Sequence, residues 1–297
     1  MAETELAVGP ASEGSVQSPK TKPTPEAKSF PLKFTYSNSE DGIDENLLVL
    51  LHGLGDTETP FAGLARRLRL PQTATLSLRA PDRIPFFDED AFQWYRSFDL
   101  SGELLERPDP TPALEILDRV IEHLTVKCSW PINRIHLFGF AQGGSVASEL
   151  ALRLWRKKGS DGGSVLSSIA SVVSIDGPLL SYPTFKPPCA TPAVYFHRSQ
   201  QGNSAEVAAF QKGFADMRVL KAPVGGGMPK SKEEWSGVIQ FWGRVLASRM
   251  PDMEGLHPII SGGPTLPTQS SRTSHRRKAS LSGTPYRQLA VGNLSSD

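Results

Sequence analysis

An α/β fold with a mostly parallel central sheet and helices on both faces is what this sequence predicts, on three observations. Short β-rich runs alternate with helical patterns from Phe30 to Met250, the arrangement that buries a parallel sheet under helices. One run, Asn46-Leu47-Leu48-Val49-Leu50-Leu51, is continuously apolar, as a strand covered on both faces must be. A third run, Arg134 to Phe138, passes through a glycine-bracketed turn, Gly139-Phe140-Ala141-Gln142-Gly143, straight into a helical segment.

The chain has 297 residues, room for one large domain or two small ones, and its texture favours one. Residues 1–28 carry Pro, Ser, Thr, Glu and Lys with few large apolar side chains, too little to offset the entropy of ordering, so disorder is expected there. The domain takes 29–250. After the Leu48 to Leu51 strand come a helical stretch from Phe61 to Leu68, a strand from Ala74 to Ala80, and a helix in which Leu114, Leu117, Val120, Ile121 and Leu124 make one apolar face. Between them, Pro81 to Pro112 holds Phe86, Phe87, Phe92, Trp94, Tyr95 and Phe98. Such a cluster packs as satellite core or walls an apolar pocket beside the turn.

Beyond the turn, a helix is expected over Ser145 to Trp155, then strands at Ile169 to Ile175 and Ala193 to Phe196, and a short helix near Ala208 to Phe214. Arg218 to Lys221 follows, and a helix over Glu233 to Ser248 closes the domain with Trp235, Val238, Ile239, Trp242 and Val245 on its buried side. Residues 251–297 are expected to be a disordered Ser/Pro-rich tail with a basic cluster, Arg276-Arg277-Lys278. Arg277-Lys278-Ala279-Ser280 resembles a basophilic kinase substrate, in which phosphate at Ser280 offsets much of the cluster's charge; a plain solvated tail is the better reading, because short basic-Ser motifs arise often by chance.

The turn at Gly139 to Gly143 has the form of a nucleophile elbow, Gly-x-Ser-x-Gly, with Ala141 at the serine position. A methyl cannot attack a carbonyl carbon. The companion of an elbow is an oxyanion hole, built from the backbone N–H after the nucleophile and one from the loop after an earlier strand. Gln142 holds the first place and Leu54, in His52-Gly53-Leu54-Gly55-Asp56, the second. Backbone donors do not depend on side-chain identity.

These two motifs together resemble the acyl-protein thioesterase and phospholipase/carboxylesterase family of α/β-hydrolases, whose elbow reads Gly-Phe-Ser-Gln-Gly. The resemblance spans roughly Phe30 to Met250 and implies an α/β-hydrolase fold. It also implies a serine hydrolase ancestry for esters or thioesters of long acyl chains. Carried over position by position, the nucleophile falls on Ala141, the acid on Gln201 and the base on Pro229. A serine triad works as a unit. Loss of all three therefore implies a catalytically inactive pseudo-hydrolase that binds an acyl ligand or a protein partner. The alternative is an active carboxylic ester or thioester hydrolase with another nucleophile. Ser145 reads as a helix cap or packing residue, and Cys128 and Cys189 lack a partner histidine in any motif. His52 and His136 read as structural residues beside strands, and His123 as the polar side of its helix.

Six histidines stand singly, with no pair one helical turn apart and no Cys-x-x-Cys, so neither a metal nor another cofactor is expected. Gly225-Gly226-Gly227 runs into Met-Pro and makes no phosphate loop. Three adjacent basic residues and a net charge of +1 do not point to nucleic acid. No secretory signal and no apolar run of about 18 residues is read, hence no membrane span. Two cysteines suit a reducing compartment, the cytosol and by extension the nucleus.

Overall fold

The computed structural model describes residues 21–249, apart from 86–89, 100, 161–167, 185, 199–203 and 224, and apart from the side chains of 158–160 and 204. Gln201, residues 1–20, the tail 251–297 and Ser280 within it lie outside the described residues. Residue 22 falls in the segment expected to be disordered; its N–H donates to Asp44 at 2.9 Å.

In chain order the first elements are β1 (Phe34–Ser37), β2 (Asn46–Leu51), α1 (Glu58–Leu68), β3 (Thr73–Leu78), β4 (Asp82–Arg83), β5 (Phe92–Gln93) and α2 (Thr111–Val126). Then come β6 (Ile135–Phe140), α3 (Gln142–Ser160), β7 (Ser171–Ile175), β8 (Ala193–His197), α4 (Ser204–Gly213), β9 (Met217–Lys221) and α5 (Lys232–Val245). Seven strands form one sheet in the order β1-β3-β2-β6-β7-β8-β9. All neighbours run parallel except β1 and β3, so the expected mostly parallel sheet is present.

Side-chain alternation along the strands divides the core. Leu47, Val49 and Leu51 of β2 and Leu137 of β6 face the apolar stripes of α2 and α3. Leu48, Leu50, Phe138, Val173, Ile175 and Phe196 face α1, through Phe61 and Ala65, and α5, through Val238, Phe241 and Trp242. Burial on both sides is why β2 and β7 read as unbroken apolar or small-residue runs. In α5 the expected face needs one correction. Phe241 is fully buried, while Ile239 is 42% exposed, because at about 100° per residue it falls past the edge of the face shared by Val238, Phe241, Trp242 and Val245. The edge strand β1 and the small β4–β5 pair were not expected; they are too short to give a periodic signal.

The chain reverses its direction of winding between β2, which leads to β3 on one side, and β6, which leads to β7 on the other. In open α/β sheets ligands bind beyond the strand C-termini at this crossover. The ends of β2 and β6 are His52 to Asp56 and Gly139 to Gly143.

Candidate functional site

Ala141 alone makes the turn from β6 into α3, with a left-handed φ of 48°. Its N–H donates to Ile175 O at 2.8 Å, continuing the sheet, and its carbonyl accepts from Ser145 N at 3.0 Å, starting the helix. Non-glycine residues take this conformation only where surrounding structure enforces it. Here the enforcement is visible. A Cβ on Gly139 would stand 2.1 Å from Gly143 O, and one on Gly143 2.2 Å from Leu51 O, so β6, α3 and the end of β2 meet backbone to backbone. The elbow therefore has its form, with a methyl where the motif sets a hydroxyl.

The loop after β2 is fixed by its neighbours. His52 is fully buried. Its Nε2 accepts from Ala80 N at 2.9 Å, which leaves Nδ1 to donate to Gly53 O at 2.7 Å. Burial holds its pKa below the usual imidazole value. The Trp94 indole donates to His52 O at 2.9 Å, and Gly55 N donates to Phe92 O at 2.9 Å. Gln142 ties the aromatic insert to the elbow: Oε1 accepts from Trp94 N at 3.0 Å, and Nε2 donates to Tyr95 O at 2.9 Å and to Ser97 Oγ at 2.8 Å. Trp94 and Tyr95 are buried in the same core cluster as β2, β3 and α2 and not as a satellite, whereas Phe98 is exposed. Leu54 sits in the turn with its side chain exposed. Gln142 is the first residue of α3, where backbone N–H groups have no acceptor within the helix.

Strand register sets two more groups in line with Ala141. Phe140 pairs with Ile175 and Ile175 with Phe196, so the next residues, Ala141, Asp176 and His197, stand side by side at the C-terminal ends of three adjacent strands. Asp176 has the same left-handed backbone, φ 50°, and its Oδ1 accepts from Arg198 N at 3.1 Å. Burial raises its pKa, against the pull of the Arg198 N–H and of the charges of Arg198 and His197. His197 is buried, stacked on Tyr195 with ring centres 5.4 Å apart, and its Nδ1 has no hydrogen-bond partner among the described residues. The Tyr195 hydroxyl donates to Glu206 at 2.5 Å.

The segment ahead of α5 is locked by Arg198. Its guanidinium grips both oxygens of Glu234, at 2.9 and 2.7 Å, and donates to Gly227 O, Met228 O and Pro223 O at 3.1 to 3.3 Å. That contact holds the Glu234 carboxyl at about 2, far below its ordinary 4.5. Glu234 also accepts from Lys230 N at 2.7 Å, and Trp235 Nε1 donates to Pro229 O at 2.9 Å. Pro229 is thus a buried wall residue.

Residues 38–176 match the family model for phospholipases and carboxylesterases. An uncharacterised hydrolase of Mycosarcoma maydis is 34% identical over 230 residues, which cover 75% of this chain and 85% of that protein. The chain belongs to the phospholipase/carboxylesterase family. Another uncharacterised hydrolase, from Schizosaccharomyces pombe, is 37% identical over 109 residues, 34% of this chain and 44% of that one. Among solved structures, esterase PE8 superposes with a TM-score of 0.60 at 19% identity, over 72% of this chain and 99% of that one. Zea mays acyl-protein thioesterase 2 gives 0.53 at 20%, again over 72% and 99%. These likenesses show the α/β-hydrolase fold.

Other candidates in this phospholipase/carboxylesterase relative take structural places. Ser145 is 1% exposed in the first turn of α3, its Oγ without hydrogen-bond geometry to any described residue. It packs and does not cap. His136 lies at the opposite end of β6, between Ser171 Oγ at 2.8 Å and Asn46 Oδ1 at 3.3 Å, and burial pushes it down to about 3. His123 is half-buried, edge-on to Phe30 at 5.0 Å. Cys128 and Cys189 are buried thiols, and burial raises the first, which makes it a poor nucleophile. Among the described residues no three His, Cys, Asp or Glu side chains gather as a metal site, and no helix is long and apolar enough to cross a membrane. Asp176 and Arg198 escaped the sequence reading because strand register reveals one and a long-range ion pair the other.

Proposed function

We propose that this chain is a pseudo-hydrolase that holds an acyl ligand or a protein partner at the elbow without turning it over. Ala141 carries the reading: a left-handed turn with a methyl at its apex. An acyl-enzyme forms when a side-chain lone pair attacks the carbonyl carbon, and a methyl has none. In this reading the backbone N–H groups of Gln142 and Leu54 still serve a ligand carbonyl oxygen, helped by the N-terminal dipole of α3. The Arg198–Glu234 pair supports it further, since Pro229 and its surroundings are tied into a wall. Both buried thiols fit a reducing compartment, in which we place the protein, cytosol or nucleus.

Fluorophosphonate labelling and a panel of acyl esters and thioesters test this on the purified full chain. No label and no turnover are expected, for wild type and for Ala141→Ser alike. Turnover abolished by one point substitution would sink the reading. Asp176 favours one competitor, an active ester or thioester hydrolase using another group, because register sets this residue next to Ala141. On that reading Asp176→Asn removes measurable turnover, as loss of a nucleophile costs about 10⁶-fold.

A further inference from the structure

The two edges of the seven-stranded sheet differ. All four residues of β1 are partly covered, whereas Arg218, Val219 and Lys221 of β9 are exposed. β9 pairs with β8 alone. Ala193 N donates to Asp216 O at 2.8 Å, and Ala222 N to His197 O at 3.1 Å. The N–H and C=O of one strand residue point to the same edge, and successive residues alternate between edges. Asp216, Arg218, Leu220 and Ala222 therefore turn their backbone to β8, while Met217, Val219 and Lys221 turn theirs outward. Among the described residues, no N–H or carbonyl of those outward three has a hydrogen-bond partner. The strand itself is firmly seated. Leu220 packs so closely on α5 that a Cβ on Gly237 would stand 2.8 Å from it, and Met217 packs against the core that holds Phe210 of α4.

Two cations mark this edge. Side-chain alternation sets Arg218 on the α5 side with Leu220, and Lys221 on the α4 side with Val219. Neither forms an ion pair among the described residues. Asp216, next to the strand, is held by Arg244 at 2.8 Å, and Glu206 of α4 accepts from the Tyr195 hydroxyl. Basic side chains on an edge discourage indiscriminate pairing, and a second copy of this chain would bring the same cations to one seam. An acidic strand instead gains a partner on each face. We propose that β9 takes up an extended acidic segment of a partner protein as an eighth strand. Its backbone bonds Met217, Val219 and Lys221, and two carboxylates three residues apart meet Arg218 and Lys221, one on each side of the sheet. Main-chain bonds supply affinity in such strand addition and side-chain pairs supply specificity. The surface lies three strands from β6, uses no residue of the elbow, and does not rest on the reading given above.

The probe is a fluorescein-labelled peptide, Thr-Glu-Val-Thr-Glu-Val-Thr, titrated with the full chain by anisotropy. Saturable binding is expected, roughly tenfold tighter than for the same peptide with Lys in place of each Glu. Arg218→Glu combined with Lys221→Glu, both at exposed positions, should reverse the order of the two peptides. Val219→Pro removes an outward N–H and leaves every N–H that faces β8 in place; it should weaken binding roughly fivefold. Amide exchange at 217–221 should slow when the acidic peptide is added. Absence of saturable binding overturns the proposal, as does equal affinity for the lysine peptide or unchanged affinity in Val219→Pro. Protection at 139–143 in place of 217–221 also overturns it, and puts the peptide at the elbow. Sedimentation showing a dimer of wild type that Val219→Pro dissolves overturns it too, with a second copy as the occupant of the edge.

Discussion

At the elbow, between β6 and α3, the backbone keeps a strained left-handed turn although the side chain it presents is a methyl. At the other end of the site, after β8 and ahead of α5, an Arg198–Glu234 ion pair fixes the segment containing Pro229. The difference follows from what each region does for the fold. Gly139, Gly143 and the end of β2 touch backbone to backbone, so the elbow's shape is part of how α3 seats on the sheet. Pro229, the base position that the resemblance implies, lies in the connecting segment between β9 and α5, and such segments tolerate sequence change better than the packed core does. The shape of the turn is therefore fixed by backbone packing, whatever side chain stands at its apex.

The sharpest way to break this contrast is Gly143→Val. A side chain there meets Leu51 O, and a loss of more than about 3 kcal/mol in urea unfolding is expected; a loss below about 1 kcal/mol would mean that the elbow is not coupled to the core. Arg198→Met should lower the midpoint of urea unfolding by less than Gly143→Val does, since it leaves Glu234 and three carbonyls without their partner. Amide exchange in 225–230 should rise with it, while the elbow stays protected. Gln142→Ala strips Trp94 N–H and Tyr95 O of their partner, with about 2 kcal/mol lost and the insert preferentially cut by protease.

Acid should discriminate between the ends as well. The folded pKa of Glu234 is depressed from 4.5 to about 2, so its contribution is complete above the ordinary value and is lost as pH falls through the folded one. Wild type should therefore lose stability more steeply than Glu234→Gln between about pH 4.5 and 2. Parallel curves would show that the pair does not hold the segment. Smallest is Ala141→Ser, expected to shift stability by less than about 0.5 kcal/mol, since the left-handed turn is already formed and half-exposed.

Much of this was legible in the sequence, unevenly. The apolar run of β2, the α2 stripe and the glycine-bracketed turn announced sheet, helix and elbow, because their signals lie within a dozen residues. Leu54 and Gln142 were placed by motif, but the three hydrogen bonds by which the Gln142 side chain anchors the insert join residues far apart in the chain. Ile239 was set on the wrong side of α5, where one position decides between core and solvent.

Local pattern alone determined that this is an α/β chain with a mostly parallel sheet and an alanine in a glycine-bracketed turn, since strand burial, helical periodicity and the turn are written in consecutive residues; the resemblance of its two motifs added the α/β-hydrolase fold. Tertiary structure alone decided what stands around that alanine. Asp176 and His197 reach its side through strand register, and Arg198 finds Glu234 across a gap of 36 residues, because pairing between distant segments depends on how strands are ordered and no local pattern encodes that order.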